Sequence, residues 1–278
     1  MNYRHAYHAG NVADVVKHLV LVLTILHLKS KDAPFFMLDT HAGIGSYDLT
    51  ADEASRTGEW RNGIGKVLAA AEPPPGLSAY LAVAGAEPGR YPGSPALARA
   101  LMRPSDRLAL VELHPQDCAS LRRLFAGDSR VGVHFGDGYA ALKSLLPPPE
   151  RRGLVLIDPP FEAADEWDRL LAGLRRGVER WRNGTFLVWY PLKAGGADER
   201  FRAELAMSDL PPTLGVELIT RPRSGPGLAG GALAVVNPPW VLEDQLRRLL
   251  PWLVQAMAPE TGDWRLEWLV AERPVTRN

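Results

Sequence analysis

Short apolar runs alternate along this chain with stretches whose apolar residues recur every three to four positions. Runs at 35–38, 108–111, 131–135, 154–157 and 186–189 have the length of strands, and helical patterns lie between them. Such alternation predicts parallel βαβ units and a doubly wound sheet. Ahead of the first run, Asn11 with Asp14 three residues on predicts a helix start. Val12, Val15, Val16, Leu19, Val20 and Leu23 carry that helix as an apolar stripe towards Lys29. Late in the chain, runs at 216–220 and 233–236 flank a glycine- and proline-rich link at 221–231, which predicts an antiparallel hairpin. A helix over 242–257 and a strand over 265–270 follow. The pattern as a whole predicts an α/β protein with a seven-stranded mixed sheet plus a C-terminal edge strand.

The interval between the first two runs is too long for one crossover. Residues 48–91 or thereabouts hold Trp60, Gly63, Gly65 and the sequence Glu72-Pro73-Pro74-Pro75-Gly76. We expect a small helical insertion there, within one domain spanning 1–278.

Composition narrows the classes. The chain has 278 residues, 46% of them hydrophobic, enough for one large α/β core. Its 32 basic and 32 acidic residues leave no net field towards nucleic acid. A polyanion would have to be met by local arginine patches, such as Arg122 with Arg123, Arg151 with Arg152, Arg175 with Arg176, and Arg221 with Arg223. The single Cys118 excludes an intramolecular disulfide and a cysteine-rich zinc site, and it fits a reducing cytoplasm. It also counts against thiolate attack on a pyrimidine. The longest apolar run, 19–26, is too short to span a bilayer. Arg4, His5, His8 and Asp14 stand where a signal peptide needs apolar residues, so a soluble cytoplasmic protein is expected. His5, His8, His18 and His41 lack metal-ligand spacing, and no metal is expected.

The candidate chemistry sits at strand ends. After the fourth run come Ile157, Asp158, Pro159, Pro160 and Phe161. An acid, two prolines and an aromatic at a strand's C-terminal end suit methylation of an exocyclic amine on a nucleobase. Such an amine is a poor nucleophile because its lone pair is delocalised into the ring. A carboxylate can accept one of its hydrogens and offset the charge that develops on nitrogen. The Pro159 carbonyl can take the second hydrogen, and Phe161 offers a face on which an extruded base can stack. A buried strand ended by a proline turn is the bland reading of the same residues. Asp39-Thr40-His41-Ala42-Gly43-Ile44-Gly45 after the first run resembles the glycine loop of S-adenosylmethionine-dependent methyltransferases, with His41 where the first Gly would stand. Glu112 ends the second run, where a carboxylate can hold ribose hydroxyls. Asp137-Gly138 ends the third, where an acid can meet an adenine amine. A nicotinamide dehydrogenase would want an intact Gly-x-Gly-x-x-Gly and gives no reason for Asp-Pro-Pro-Phe. A second match, Asn237-Pro238-Pro239-Trp240, ends the late hairpin and so is expected at the opposite edge of the sheet from Asp158.

Together with Tyr3-Arg4-His5-Ala6-Tyr7-His8-Ala9-Gly10-Asn11, Asp14-Val15-Val16-Lys17-His18, Tyr91-Pro92-Gly93-Ser94-Pro95 and Glu112-Leu113-His114-Pro115, these motifs resemble the bacterial 23S ribosomal RNA adenine N6-methyltransferase family nearly end to end. The resemblance implies a monomeric Rossmann-like S-adenosylmethionine-dependent methyltransferase. Its partner would be 23S rRNA, naked or within an early large-subunit assembly particle. Cofactor contacts are implied at Lys17, His18, Asp39, His41, Gly43, Ser94, Glu112, Asp137, Gly138 and Asp158. Asp158 would also be the proton acceptor, with Pro159 and Phe161 beside it in catalysis. Tyr3, Arg4, His5 and Phe161 would contact the substrate. Phe161 stands where the family usually has Tyr. Two rival functions remain at this stage: the same chemistry on DNA, and a non-catalytic RNA-binding or assembly protein on the same fold.

Overall fold

The structure, a computed structural model, describes residues 5–225 and 227–271. Its centre is an eight-stranded sheet. In chain order the strands are β1 (Phe36–Asp39), β4 (Arg107–Glu112), β5 (Val131–Phe135), β6 (Gly153–Ile157), β7 (Thr185–Leu192), β8 (Thr213–Ile219), β9 (Gly230–Val236) and β10 (Asp263–Val270). A separate two-stranded pair, β2 (Ser46–Asp48) and β3 (Arg90–Pro92), lies between β1 and β4 in sequence. Spatial order in the large sheet is β10-β8-β9-β7-β6-β1-β4-β5. The five strands from β7 to β5 are parallel. The pairs β7–β9, β8–β9 and β8–β10 are antiparallel. The expected mixed sheet, hairpin and edge strand are all present.

Among the described residues ten helices join these strands: α1 (Val12–Lys29), α2 (Asp52–Thr57), α3 (Ile64–Ala69), α4 (Ser78–Ala84), α5 (Ser94–Leu101), α6 (Pro115–Leu124), α7 (Gly138–Ser144), α8 (Glu166–Arg180), α9 (Ala197–Ala206) and α10 (Leu242–Met257). Helices α2, α3 and α4, with two short 3-10 turns, fill the interval from β2 to β3, where the sequence predicts helices. That interval is tied at its base by Tyr47 opposite Tyr91.

Period-two alternation sorts the strands' side chains onto two faces. Met37, Leu154 and Leu156 join α1, α5 and α10 in one core, whereas Phe36, Leu38, Val155 and Ile157 join α7, α8 and α9 in the other. Helix α1 departs from the expected stripe. It is buried all round, packed among β9, α5, α4 and α10, so Asp14, Lys17 and His18 are inside the protein. Its start is as predicted: the Asn11 side chain accepts from the Asp14 amide at 3.0 Å, and Asp14 accepts from Gly10 N at 2.8 Å. The strand order reverses around β1, with β4 and β5 to one side and β6 and β7 to the other. Crevices beyond the C-terminal ends of such strands are where α/β sheets bind ligands.

Candidate active site

Two clefts open at that end of the sheet and share His5, Lys17, Asp158 and Pro160. The first encloses about 920 Å³ and is lined by His18, His41, Gly43, Ser94, Glu112, Asp137, Gly138, Pro159 and Arg169, among others. The second encloses about 820 Å³, and its walls include Phe161, Trp189, Pro191, Lys193 and His8. Asp158 follows β6 directly and stands where the two clefts meet.

The side chains of the first cleft come from strand ends and from the helices beside them. Both Glu112 carboxylate oxygens accept backbone amides at 2.7 Å, from Gly43 and from His114. Burial raises the Glu112 pKa. Gly43 has φ +61°, and a Cβ there would sit 2.4 Å from the Tyr47 hydroxyl, so the loop after β1 needs glycine at this point. Asp137 caps α7 through the Ala140 amide and pairs with Arg169 at 2.9 Å. The Arg169 guanidinium lies 4.9 Å over the Tyr139 ring, and Tyr139 meets the edge of His41 at 5.3 Å. Thr40 gives its hydroxyl hydrogen to Leu156 O, so His41 Nδ1, 2.8 Å away, is the donor to Thr40. Burial pushes the His41 pKa down to about 4, so the ring is neutral and its Nε2 is an acceptor.

The shared wall is ionic. Lys17 Nζ lies 2.7 Å from Asp14 Oδ1 and 2.5 Å from Asp158 Oδ2. Burial alone would depress the Lys17 pKa, but these two carboxylates overcome it and hold the ammonium protonated. Asp14 also takes His5 Nε2 at 3.0 Å. Burial opposes its charge, yet His5 and Lys17 keep its pKa well below the usual carboxylate range. Phe161 has φ +53°, unusual for an aromatic, and its ring centroid lies 4.6 Å from Trp167 and 5.8 Å from Trp189.

Most of the expected site residues converge here, but two stand differently from the expectation. Asp39 lines neither cleft: it is fully buried and accepts from the Ser94 hydroxyl at 2.6 Å and from His41 N at 3.3 Å. It can act on a ligand only through those neighbours. Lys17 lines the first cleft, but its ammonium is bracketed by carboxylates rather than open to a ligand. Tyr3 and Arg4 lie outside the described residues. The sequence reading also missed Asp14 as more than a helix cap, and it missed Tyr139, Arg169 and Trp189. Asn237 is at the other end of the sheet, as expected, with its Nδ2 donating to Arg182 O at 2.7 Å and Gly184 O at 2.8 Å. Among the described residues no cluster suited to a metal ion occurs, and no helix is long and apolar enough to cross a membrane.

Comparison with known proteins identifies the family. The family model described as "Ribosomal RNA large subunit methyltransferase D, RlmJ" matches residues 32–270. The Ribosomal RNA large subunit methyltransferase J of Escherichia coli (strain K12) is 42% identical over 279 residues, covering 98% of this chain and all of that protein. Its namesake in Haemophilus influenzae is 40% identical over 280 residues with the same coverage. A crystal structure of a Legionella pneumophila protein superposes with a TM-score of 0.88 at 32% identity, over 94% of this chain and 98% of that one. The chain belongs to the RlmJ family of ribosomal RNA large subunit methyltransferases.

Proposed function

We propose that this protein transfers a methyl group from S-adenosylmethionine to the 6-amino group of an adenine in 23S rRNA. The observation that carries the reading is the position of Asp158 between the clefts, one shaped for a nucleoside cofactor and the other walled by aromatics. The first cleft fits the cofactor in shape and donor set. Glu112 is fixed by backbone amides with lone pairs left for ribose hydroxyls, and Asp137 stands at the next strand end for the adenine amine. Gly138 keeps the wall thin, since a Cβ there would lie 2.2 Å from Thr40 O. Bound S-adenosylmethionine supplies an electrophilic methyl on a sulfonium sulfur.

The chain's own groups do the rest. Phe161 stacks the extruded base in the second cleft, and its backbone strain is of the kind kept where a side chain must be aimed. Asp158 and the Pro159 carbonyl accept the two amine hydrogens, letting the nitrogen lone pair turn towards the methyl group. Lys17 fixes the Asp158 carboxylate by its ion pair. A ring-conjugated amine bearing a fourth substituent is a strong acid, so even an ion-paired carboxylate is base enough to take its proton. His5, on the wall of both clefts, joins Tyr3 and Arg4 as the proposed substrate contacts.

RNA rather than DNA is favoured by the family, whose named members are rRNA methyltransferases. The test is methylation of matched RNA and DNA oligonucleotides, with the product base identified by mass spectrometry. N6-methyladenine in RNA is expected. Asp158→Asn should fold normally and lose turnover by on the order of 10²–10³-fold, as when one preorganised electrostatic group is removed. Unchanged single-turnover rates in that variant would overturn the assignment.

A further inference from the structure

Three buried groups connect the helical interval to the first cleft. Tyr80 on α4 and Tyr91 on β3 are fully buried, with their hydroxyls 2.9 Å apart. The Tyr91 hydroxyl lies 2.6 Å from His18 Nδ1. The His18 ring lines the cleft, and its Nε2 has no hydrogen-bond partner among the described residues. Asp14 Oδ1 stands 4.0 Å from that nitrogen, beyond hydrogen-bond reach.

Counting hydrogens fixes the direction of this chain. Burial pushes the His18 pKa down to about 3, so the neutral ring carries one hydrogen. Suppose it sat on Nδ1. His18 would then donate to Tyr91 and Tyr91 to Tyr80. The Tyr80 hydrogen would be left with no acceptor in the interior, and the Nε2 lone pair would go unmet as well. With the hydrogen on Nε2, Tyr80 donates to Tyr91, Tyr91 donates to Nδ1, and every hydroxyl hydrogen is used. The first tautomer strands a hydroxyl hydrogen and a ring lone pair, the second only the Nε2–H on the cleft wall, so the second leaves fewer polar groups unmet. The Asp14 carboxylate favours the same tautomer, because a hydrogen on Nε2 faces its negative charge. The neighbouring donors at this end of the cleft are largely committed: two of the three Lys17 N–H groups to carboxylates and the Ser94 hydroxyl to Asp39. His18 Nε2–H is a donor left without a partner on the cleft wall, itself buried from solvent, and it can meet only an acceptor.

We propose that Tyr80 and Tyr91 are positioning residues that lock His18 as an Nε2–H donor, so that the cleft selects a carboxylate at the amino-acid end of its cofactor. This rests on the reading of the first cleft as an S-adenosylmethionine site. It also makes cofactor affinity depend on α4 and β3, which contribute no side chain to the cleft lining.

Calorimetry with two ligands tests the lock. S-adenosylhomocysteine carries the amino-acid end, and 5′-methylthioadenosine keeps the nucleoside without it. In Tyr91→Phe, the Kd for S-adenosylhomocysteine should rise about tenfold, the scale of one weakened charge-assisted hydrogen bond. Binding of 5′-methylthioadenosine should not change. Tyr80→Phe should shift the first ligand in the same direction by less. Nitrogen-15 NMR of histidine in the parent protein should show His18 as the Nε2–H tautomer, giving way to a mixture in Tyr91→Phe. Equal losses for both ligands would reduce the tyrosines to packing, and an Nδ1–H His18 would exclude the lock outright. If Tyr91→Phe does not fold, the parent spectrum and Tyr80→Phe decide. If the parent binds neither ligand, the cofactor reading fails, while the tautomer still judges the lock.

Discussion

Asp14, Lys17 and Asp158 form one electrostatic unit: a buried ammonium holding a buried carboxylate from its own helix and a partly buried one from the end of β6. Removing Lys17 leaves Asp14 with His5 as its remaining partner and Asp158 with none from this set, which costs more than breaking an exposed pair does. Lys17→Met should therefore lower stability by about 3 kcal/mol or more, measured by chemical denaturation, and should abolish methylation. Asp158→Asn added to that variant should restore part of the stability, because it removes one of the stranded charges; a further loss would show that the pair is not coupled as described. Asp39 offers a pH test. Burial, with the charge of Asp158 adding to it, raises its pKa from 3.8 to about 7. The folded state then binds a proton more tightly than the unfolded state, so the contribution of Asp39 to stability falls as pH rises from about 4 to about 7. Asp39→Asn cannot ionise. Its unfolding free energy relative to the parent should rise across that interval and level off above it, and a pH-independent difference would contradict the buried, uncompensated carboxylate. The spacing of Asp14, Lys17 and His18 on one helix face is plain in the sequence. Their partners are not, because Asp158 lies 141 positions from Lys17 and only folding brings them together.

At the scale of elements, the start of α1 is where the helical interval docks. Asn11 caps the helix and also donates to Glu59 at 3.0 Å, while Ile64 N donates to Gly10 O at 2.9 Å. Gly63 lies against this junction. A Cβ there would meet Gly10 O at 2.2 Å and the Asn11 backbone at 2.6 Å, and neither is the movable end of a side chain. Gly63→Ala should destabilise by about 1–3 kcal/mol, the usual scale of overpacking. It should also reduce methylation, since the strain falls one turn from Asp14 and about two turns from Lys17. Denaturation and turnover on the same preparation check both, and a variant as stable and active as the parent would mean that the contact yields freely. The strands were legible because each is an apolar run bounded by turn residues, and most ends moved by only one to three positions. The pair β2 and β3 was not, because three-residue strands such as Ser46–Asp48 and Arg90–Pro92 carry no periodicity. Burial of α1 on every side was also hidden, since a stripe of valines and leucines reads the same whether one face or all faces are covered.

Across the whole molecule, the direction of each strand decides which of two similar motifs faces the clefts. β6 and β7 run parallel, so Asp158 leaves the sheet at the end where β1 and β4 also finish. β9 runs antiparallel to β7, with Val236 opposite Phe186 near the start of that strand. Asn237-Pro238-Pro239-Trp240 therefore emerges at the far end, and none of the four residues lines either cleft. Asn237 has a structural task there. Its backbone is left-handed at φ +50°, which asparagine tolerates better than alanine, and its amide closes the turn onto Arg182 O and Gly184 O. Asn237→Ala loses both contributions and should cost about 2 kcal/mol. Asn237→Gly keeps the backbone freedom and loses only the hydrogen bonds, so it should cost less. Turnover at saturating cofactor and RNA, on soluble and correctly folded protein, should match the parent for both. A loss comparable to that of Asp158→Asn, with stability intact, would mean that the far end of the sheet takes part in the reaction and that strand polarity is the wrong guide to the active site.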